Sequence, residues 1–358
     1  MAKLFEPLVV RGLTARNRIW IAPMCQYSCE NQDGKPSNWH LVHLGSRAIG
    51  GAGVVIAEAT AIRPDGRISA WDTGIWNDDQ VHAWQPVTEF IRSTGALSCI
   101  QLAHAGRKAS IYRSWSGEGA MPESNGGWQP VSPTGEAFPE YNQPHELTTA
   151  EVYELIDQFV EAAKRSVRAG FDMVEIHAAH GYLVHQFLSP LTNQRSDEFG
   201  GSSIARAKFL VDMVSKMRKA IGETPILIRF SATDYHEGGF SVADCIEVAR
   251  WCYQSGADLF DISSGGLIAG VKIPLGPGYQ VPLSQEISRE ISQPVGAVGL
   301  ITDSQQAEEI LQSTEIDVIM IGRLALRDPY WPLRAAKELG VELDYWPNQY
   351  VRGKYPSD

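Results

Sequence analysis

The chain has 358 residues, 44% of them hydrophobic and 20% charged, the balance of a soluble globular protein large enough for one α/β barrel. Its formal charge of −11 argues against nucleic acid as a partner, and no apolar run reaches the ~18 residues that a membrane span requires. Five cysteines, at 25, 29, 99, 245 and 252, form no disulfide framework, and the N-terminus lacks a signal-peptide core, so a reducing cytoplasm is expected.

Short, near-continuous apolar runs recur along the chain, each followed by a polar stretch of helical periodicity. Arg18–Met24 is the first, Gly53–Ala61 the second and Leu97–His104 the third, with a helix predicted over Asn77–Ser93. The next segment, 105–147, is too rich in Gly, Pro and Ser for regular structure. It nevertheless carries Tyr112, Trp115, Trp128, Phe138 and Tyr141, which predicts a packed capping insertion rather than disorder. A helix follows over Thr148–Ala169, opened by an approximate capping signal, Thr148 with Glu151. Strands are then predicted at Met173–Ala179, Pro225–Ala232, Leu259–Ser264, Val295–Gly299 and Asp317–Arg323, with helices at Ser241–Ser255, Asp303–Gln312 and Ala325–Leu339. Strands without polar alternation belong to a parallel sheet covered by helices. Eight unbroken strand–helix alternations therefore predict a single domain over 1–358, a closed (β/α)8 or TIM barrel. A doubly wound open sheet would need a Gly-rich turn after its first strand, and Pro23-Met24-Cys25-Gln26-Tyr27 is nothing like one.

A barrel gathers its active site at the C-terminal ends of its strands. The richest end is the fourth, where His177-Ala178-Ala179-His180-Gly181-Tyr182 brings together two imidazoles and a phenol. Such a set can hold a carbonyl oxygen and protonate the carbon beside it. The two histidines could instead ligate a metal, as in a metal-dependent barrel hydrolase or aldolase. Zinc-protease helices, however, space their histidines i, i+4 around a Glu, and no acidic cluster marks the other strand ends here. Those ends supply Pro23, Met24, Cys25 and Tyr27, then Ala59, Gln101, Arg229, the Ser263-Ser264-Gly265-Gly266 run, Gly299, and lastly Gly322 with Arg323. Small residues at the last two ends, with Arg323 beside them, suit a phosphate, because backbone N–H groups can approach it closely. With Gln101 and Arg229 at the same mouth, a phosphate-bearing cofactor with a heteroaromatic ring is expected.

The ordered motifs resemble the Old Yellow Enzyme family of flavin-dependent ene-reductases, in its thermophilic-like branch. They are Leu4-Phe5-Glu6-Pro7-Leu8, Asn17-Arg18-Ile19, Pro23–Tyr27, Gln101–Lys108, the His-Ala-Ala-His-Gly-Tyr segment, Gln186–Pro190 with Asn193, and Gln349-Tyr350-Val351-Arg352-Gly353. The resemblance implies non-covalent FMN, held by Ala22, Pro23, Met24, Cys25, Ala59, Gln101, Arg229, Gly299, Gly322 and Arg323, with NADPH or NADH as hydride donor. It implies that His177 and His180 hold the carbonyl of an enone-type substrate, that Tyr182 supplies a proton, and that Tyr27 positions the carbonyl. Cys25 would tune the flavin. A homodimer or dimer of dimers is also implied, with the tail 341–358 at a subunit interface and Arg352 in the partner's pocket. Lys108 either borders the pocket or, as most lysines do, faces solvent. Gln194, Ser196 and Phe199 replace commoner Lys, Thr and Tyr, outside the cofactor set, and Lys354 stands where relatives often carry an aromatic. Relatives with an iron–sulfur domain need a Cys cluster and a length that this chain lacks.

Overall fold

The computed structural model describes residues 2–355. Eight strands close a barrel in sequential order: β1 (Ile19–Ile21), β2 (Val54–Ala61), β3 (Leu97–Ala103), β4 (Met173–Ala178), β5 (Ile226–Ser231), β6 (Leu259–Ser263), β7 (Val295–Ala297) and β8 (Val318–Ile321). Every ladder is parallel, and closure comes from β8 on β1, where Ile319 faces Ile19 and Ile321 faces Ile21. All of the predicted runs except the second, which ends correctly at Ala61, overshoot at their C-terminal ends. β1 stops at Ile21 because Pro23 offers no N–H to continue a ladder, and β7 stops before Gly299, whose φ is 124°.

Alternation along each strand divides the barrel into layers. Trp20, Val54, Ile56, Cys99, Met173, Leu227, Leu259, Val318 and Met320 fill the inside at the N-terminal end, and Leu8 and Val10 of an N-terminal hairpin plug it from below. The alternate positions, such as Val55, Ile100, Val174, Ile228, Phe260 and Ile319, pack outward against the helices. Two residues further along the inward face, the apolar plug gives way to Gln101, Glu175, Arg229 and Asp261.

The helices are α1 (Asn38–Ile49), α2 (Asp78–Ser93), α3 (Thr149–Arg168), α4 (Leu183–Leu188), α5 (Ser203–Ile221), α6 (Val242–Ser255), α7 (Val281–Glu290), α8 (Ser304–Ser313), α9 (Arg323–Arg327) and α10 (Trp331–Glu338). Thr148 and Glu151 form a full reciprocal capping box, and Ser241 with Asp244 forms another. The single helix predicted over Ala325–Leu339 is two. Pro329 excludes the helical conformation from Asp328, and the chain restarts at Trp331 with Pro332 in its first turn.

The 105–147 segment is tied to the loop that follows β2. Its Val131–Ser132 pairs with His145–Glu146, Trp128 Nε1 donates to Asp65 O at 2.8 Å, and the Arg67 guanidinium lies 5.0 Å from the Trp128 ring and 5.6 Å from Trp76. Trp115 departs from the expected packing: it is 63% exposed, edge-on to Tyr27 at 6.2 Å. The tail forms a 3-10 turn over Asn348–Gly353 with Arg352 exposed; the part of the predicted interface at 356–358 lies outside the described residues. Among the described residues, no helix is long and apolar enough to cross a membrane.

Candidate active site

The layer above the apolar plug is charged. Gln101 Nε2 donates to Glu175 Oε1 at 2.7 Å, and Arg229 Nε lies 3.1 Å from Asp261 Oδ2. Two buried carboxyl groups thus lie in the field of one guanidinium, which pairs directly with Asp261 and not with Glu175. Burial and then the Asp261 charge push the Glu175 carboxyl up to about 8, with Arg229 opposing, so Glu175 holds a proton near neutrality.

Above this layer stand the three rings of the fourth strand end. The His177 ring is 5.2 Å from that of His180 and 4.9 Å from that of Tyr182. His177 Nδ1 accepts from Ala179 N at 3.3 Å, which leaves Nε2–H as its donor. His180 Nε2 meets Ser263 Oγ at 2.8 Å, which fixes its ring plane. Burial, then the Arg229 charge, hold both imidazoles well below their ordinary range. Each is neutral at pH 7 and presents one N–H. Burial, then the Cys25 thiol, raise Tyr182 well above an ordinary phenol, so it keeps its proton.

Tyr182, Tyr27 and Cys25 pack together on Ala59, Ala103 and Ala105. The loop after β1 is held from three sides. Gln26 N donates to Glu58 Oε2 at 2.7 Å, Glu58 Oε1 lies 3.2 Å from His40 Nε2 on α1, and Arg113 of the 105–147 segment donates to Tyr27 O at 3.1 Å. The Cys25 thiol, then burial, raise the Tyr27 phenol, and burial, then Asp72 and Glu58, raise Cys25 itself.

Beside this cluster, at the ends of β7 and β8, opens a cavity of about 250 Å³. It brings together Ala22, Pro23, Met24, Arg229, Gly299, Gly322 and Arg323 of the predicted set. A Cβ on Gly322 would approach only Met24 Sδ, at 3.7 Å, so a side chain there would enter the cavity. Arg323 is exposed at the rim, with no ion pair among the described residues. Cys25, Ala59 and Gln101 do not line this cavity; Cys25 and Ala59 belong to the tyrosine cluster, and Gln101 to the charged layer. These residues fit FMN: glycines and Arg323 for the phosphate, Arg229 as a fixed cation for the ring.

Tyr279 and Gln280 are among the lining residues that the sequence left without a role, and Ser263 was placed there only as part of a strand-end run. Gln280 Oε1 accepts from Ser263 at 3.3 Å and Ser264 at 2.6 Å, tying the β6 loop to α7. Only the Ser263-Ser264-Gly265-Gly266 run hinted at them. Lys108 is not the solvated lysine of the alternative reading. Its Nζ donates to His180 O and Gly266 O, both at 2.9 Å, lies 5.3 Å from the Tyr182 ring centre, and is lowered by burial to about 8. Arg352 does not line the cavity. A metal centre would need a third ligand beside His177 and His180, and no group of three His, Cys, Asp or Glu side chains among the described residues could hold an ion.

Glycines and a fixed cation at the last two strands of a closed barrel suit a phosphate-bearing cofactor, the arrangement of a cofactor-dependent barrel enzyme. Residues 3–342 match the model of the NADH:flavin oxidoreductase / NADH oxidase family, and the chain belongs to that family. It is 44% identical over 350 residues to an NADPH dehydrogenase of Geobacillus thermodenitrificans (strain NG80-2), covering 98% of each chain. It is 46% identical over 353 residues to an NADPH dehydrogenase of Listeria monocytogenes serotype 4b (strain CLIP80459), covering 98% of this chain and 99% of the relative. Among solved structures, the old yellow enzyme homologue of Zymomonas mobilis superposes with a TM-score of 0.80 at 29% identity, over 99% of each chain. Morphinone reductase, also solved with tetrahydroNAD, gives 0.78 at 28% identity, over 95% of this chain and 90% of that one. The protein is an NAD(P)H-dependent flavin oxidoreductase of the Old Yellow Enzyme family, with FMN as its cofactor.

Proposed function

We propose that the enzyme reduces the activated C=C bond of α,β-unsaturated carbonyl compounds, with NADPH or NADH and the enone occupying one pocket in turn in a ping-pong scheme. The observation that carries this reading is the packing of a neutral imidazole, His180, and a protonated phenol, Tyr182, against the neutral His177 ring, at 5.2 and 4.9 Å. Bound FMN supplies hydride transfer, from the nicotinamide and then to the substrate β-carbon. His177 offers its Nε2–H to the carbonyl oxygen, and His180 offers Nδ1–H once Ser263 turns its hydroxyl hydrogen from Gln280 onto His180 Nε2; together they stabilise the negative charge that develops on that oxygen. Tyr182 holds the proton that the α-carbon takes. Tyr27 positions the carbonyl, and Arg229 stabilises charge at the ring edge of the cofactor. Cys25, packed on the same alanine cluster as both tyrosines, tunes the same site.

A homodimer or dimer of dimers, with Arg352 completing the partner's pocket, is part of the same proposal. It is supported by the exposure of Arg352 together with Tyr350 and Val351 beside it, and by exposed Trp39, Val42 and Phe90. Five free cysteines suit a cytoplasmic setting.

Tyr182→Phe tests the reading. The variant keeps FMN and its reduction by NAD(P)H, while the oxidative half-reaction with an enone slows by about 10² to 10⁴-fold, the usual worth of a general acid. Stopped-flow traces of both half-reactions decide it; an equal loss in both would overturn the assignment. The loss is smaller for nitroalkenes, whose anion is stable in water.

A further inference from the structure

One buried acid–base pair plays no part in the scheme above. His185, in the first turn of α4, and Asp234, in the loop after β5, have fully buried side chains, with Nε2 2.9 Å from Oδ1. The other ring nitrogen, Nδ1, accepts the Gly181 N–H at 3.0 Å. That amide belongs to the peptide between His180 and Gly181, where the backbone is left-handed at both residues, φ 60° and 75°. A histidine in this conformation is uncommon and persists only where its surroundings hold it. The turn also joins the two side chains whose relative placement the reaction needs, His180 and Tyr182.

We propose that Asp234 and His185 are positioning residues: the carboxylate fixes the imidazole as its Nε2–H tautomer, so that Nδ1 grips the Gly181 amide and locks the turn that aims His180 and Tyr182. The roles given to His180 and Tyr182 rest on the ene-reductase reading. The tautomer follows from hydrogen-bond arithmetic. Nδ1 faces a donor and carries no hydrogen, so the ring's one proton sits on Nε2, toward the carboxylate. Asp234 is held in turn, because Oδ2 accepts Phe240 N at 2.7 Å and Ser189 Oγ at 2.6 Å.

This arrangement makes Asp234→Asn a specific probe. Two donors fix the amide oxygen at the Oδ2 position, so the amide NH2 must face Nε2. The imidazole then shifts its proton to Nδ1, which opposes the Gly181 N–H, and the lock is lost without a change of shape. The same inversion follows carboxylate-to-amide replacement in a catalytic triad. His185→Leu removes the acceptor outright, whereas His185→Asn restores an acceptor oxygen near the Nδ1 position.

The expected result is that Asp234→Asn and His185→Leu retain FMN and reductive half-reaction rates. Both slow the oxidative half-reaction by on the order of 10-fold or more and weaken phenol binding, read by its long-wavelength absorption band. His185→Asn recovers most of both. In 15N-histidine-labelled protein, Asp234→Asn exchanges the protonated and unprotonated ring nitrogens of His185. Unchanged tautomer and native phenol affinity in Asp234→Asn would overturn the proposal. So would parallel loss of FMN, reduction and oxidation in all three variants, which marks a general packing role. If native enzyme fails to reduce enones, the functional reading falls, while the tautomer and the phenol titration still decide the lock.

Discussion

Glu175 and the histidines His177 and His180 respond to pH in opposite directions. The Glu175 carboxyl is raised by burial to about 8, so the folded state keeps a proton that the unfolded chain releases above pH ~4.5. Stability therefore falls as pH rises through that window, by on the order of a few kcal/mol. Glu175→Gln keeps an acceptor for Gln101 and removes the titration, so the variant becomes the more stable form toward alkaline pH. Coincident Tm curves for the two proteins from pH 5 to 9 would contradict this. His177 and His180 are depressed, so their contribution is present above pH ~6.5 and lost as the pH falls below it. On the proposed ene-reductase reading, His177→Ala or His180→Ala should remove one donor from the developing oxyanion and lower turnover of an enone by about 10² to 10³-fold. Titration with a phenol checks this independently, since both variants should bind it more weakly. Residues of rare chemistry at strand ends, such as these histidines, Tyr182 and Arg229, were legible in the sequence. Gln280 was not, because an amide carries no pattern of its own, and Ser263 was read only as part of a strand-end run. Lys108 is ambiguous by nature, and only the two carbonyls that converge on its ammonium bury it.

The elements read from the sequence are those whose apolar stripe is clean. α2, α3 and α6 begin at capping boxes, and their buried positions are mostly apolar. α1 escapes that pattern because it buries His40, His43 and Arg47, and α5 because its first turn exposes Ile204 while burying Arg206. α7 opens with no side-chain cap at all. In each case tertiary packing, not local periodicity, decides the helix. The box at α3 gives a direct check. Thr148→Ala removes the acceptor for Glu151 N and should lower stability by about 1 kcal/mol, measured by chemical denaturation. Enone turnover should stay native, because the cap stands at the foot of a helix that carries no site residue.

At the scale of the whole molecule, the barrel and its mouth follow from eight strand–helix units, whereas the proposed sharing of a site between subunits rests on the tail alone. Mixing Tyr182→Phe with Arg352→Ala subunits tests it. If Arg352 acts across an interface, exchange places both defects in one pocket, leaves the other intact and restores part of the activity. A tail acting on its own barrel restores none, and Arg352 in a surface ion pair would be worth only about 0–1 kcal/mol. The closing ladder between β8 and β1 has a further consequence for synthesis. β1 can pair with β2 as soon as both have left the ribosome, yet its other edge has no partner until β8 follows. The N-terminal segment waits as long, since Lys3 N and Leu4 N are both held at 2.8 Å by Glu308 of α8. A growing chain thus carries an open sheet edge through most of translation, which invites pairing with other chains and delays the cooperative step. Truncation before β8 leaves that edge permanently unpaired, so shortened products of this gene should aggregate or be degraded rather than persist as smaller enzymes.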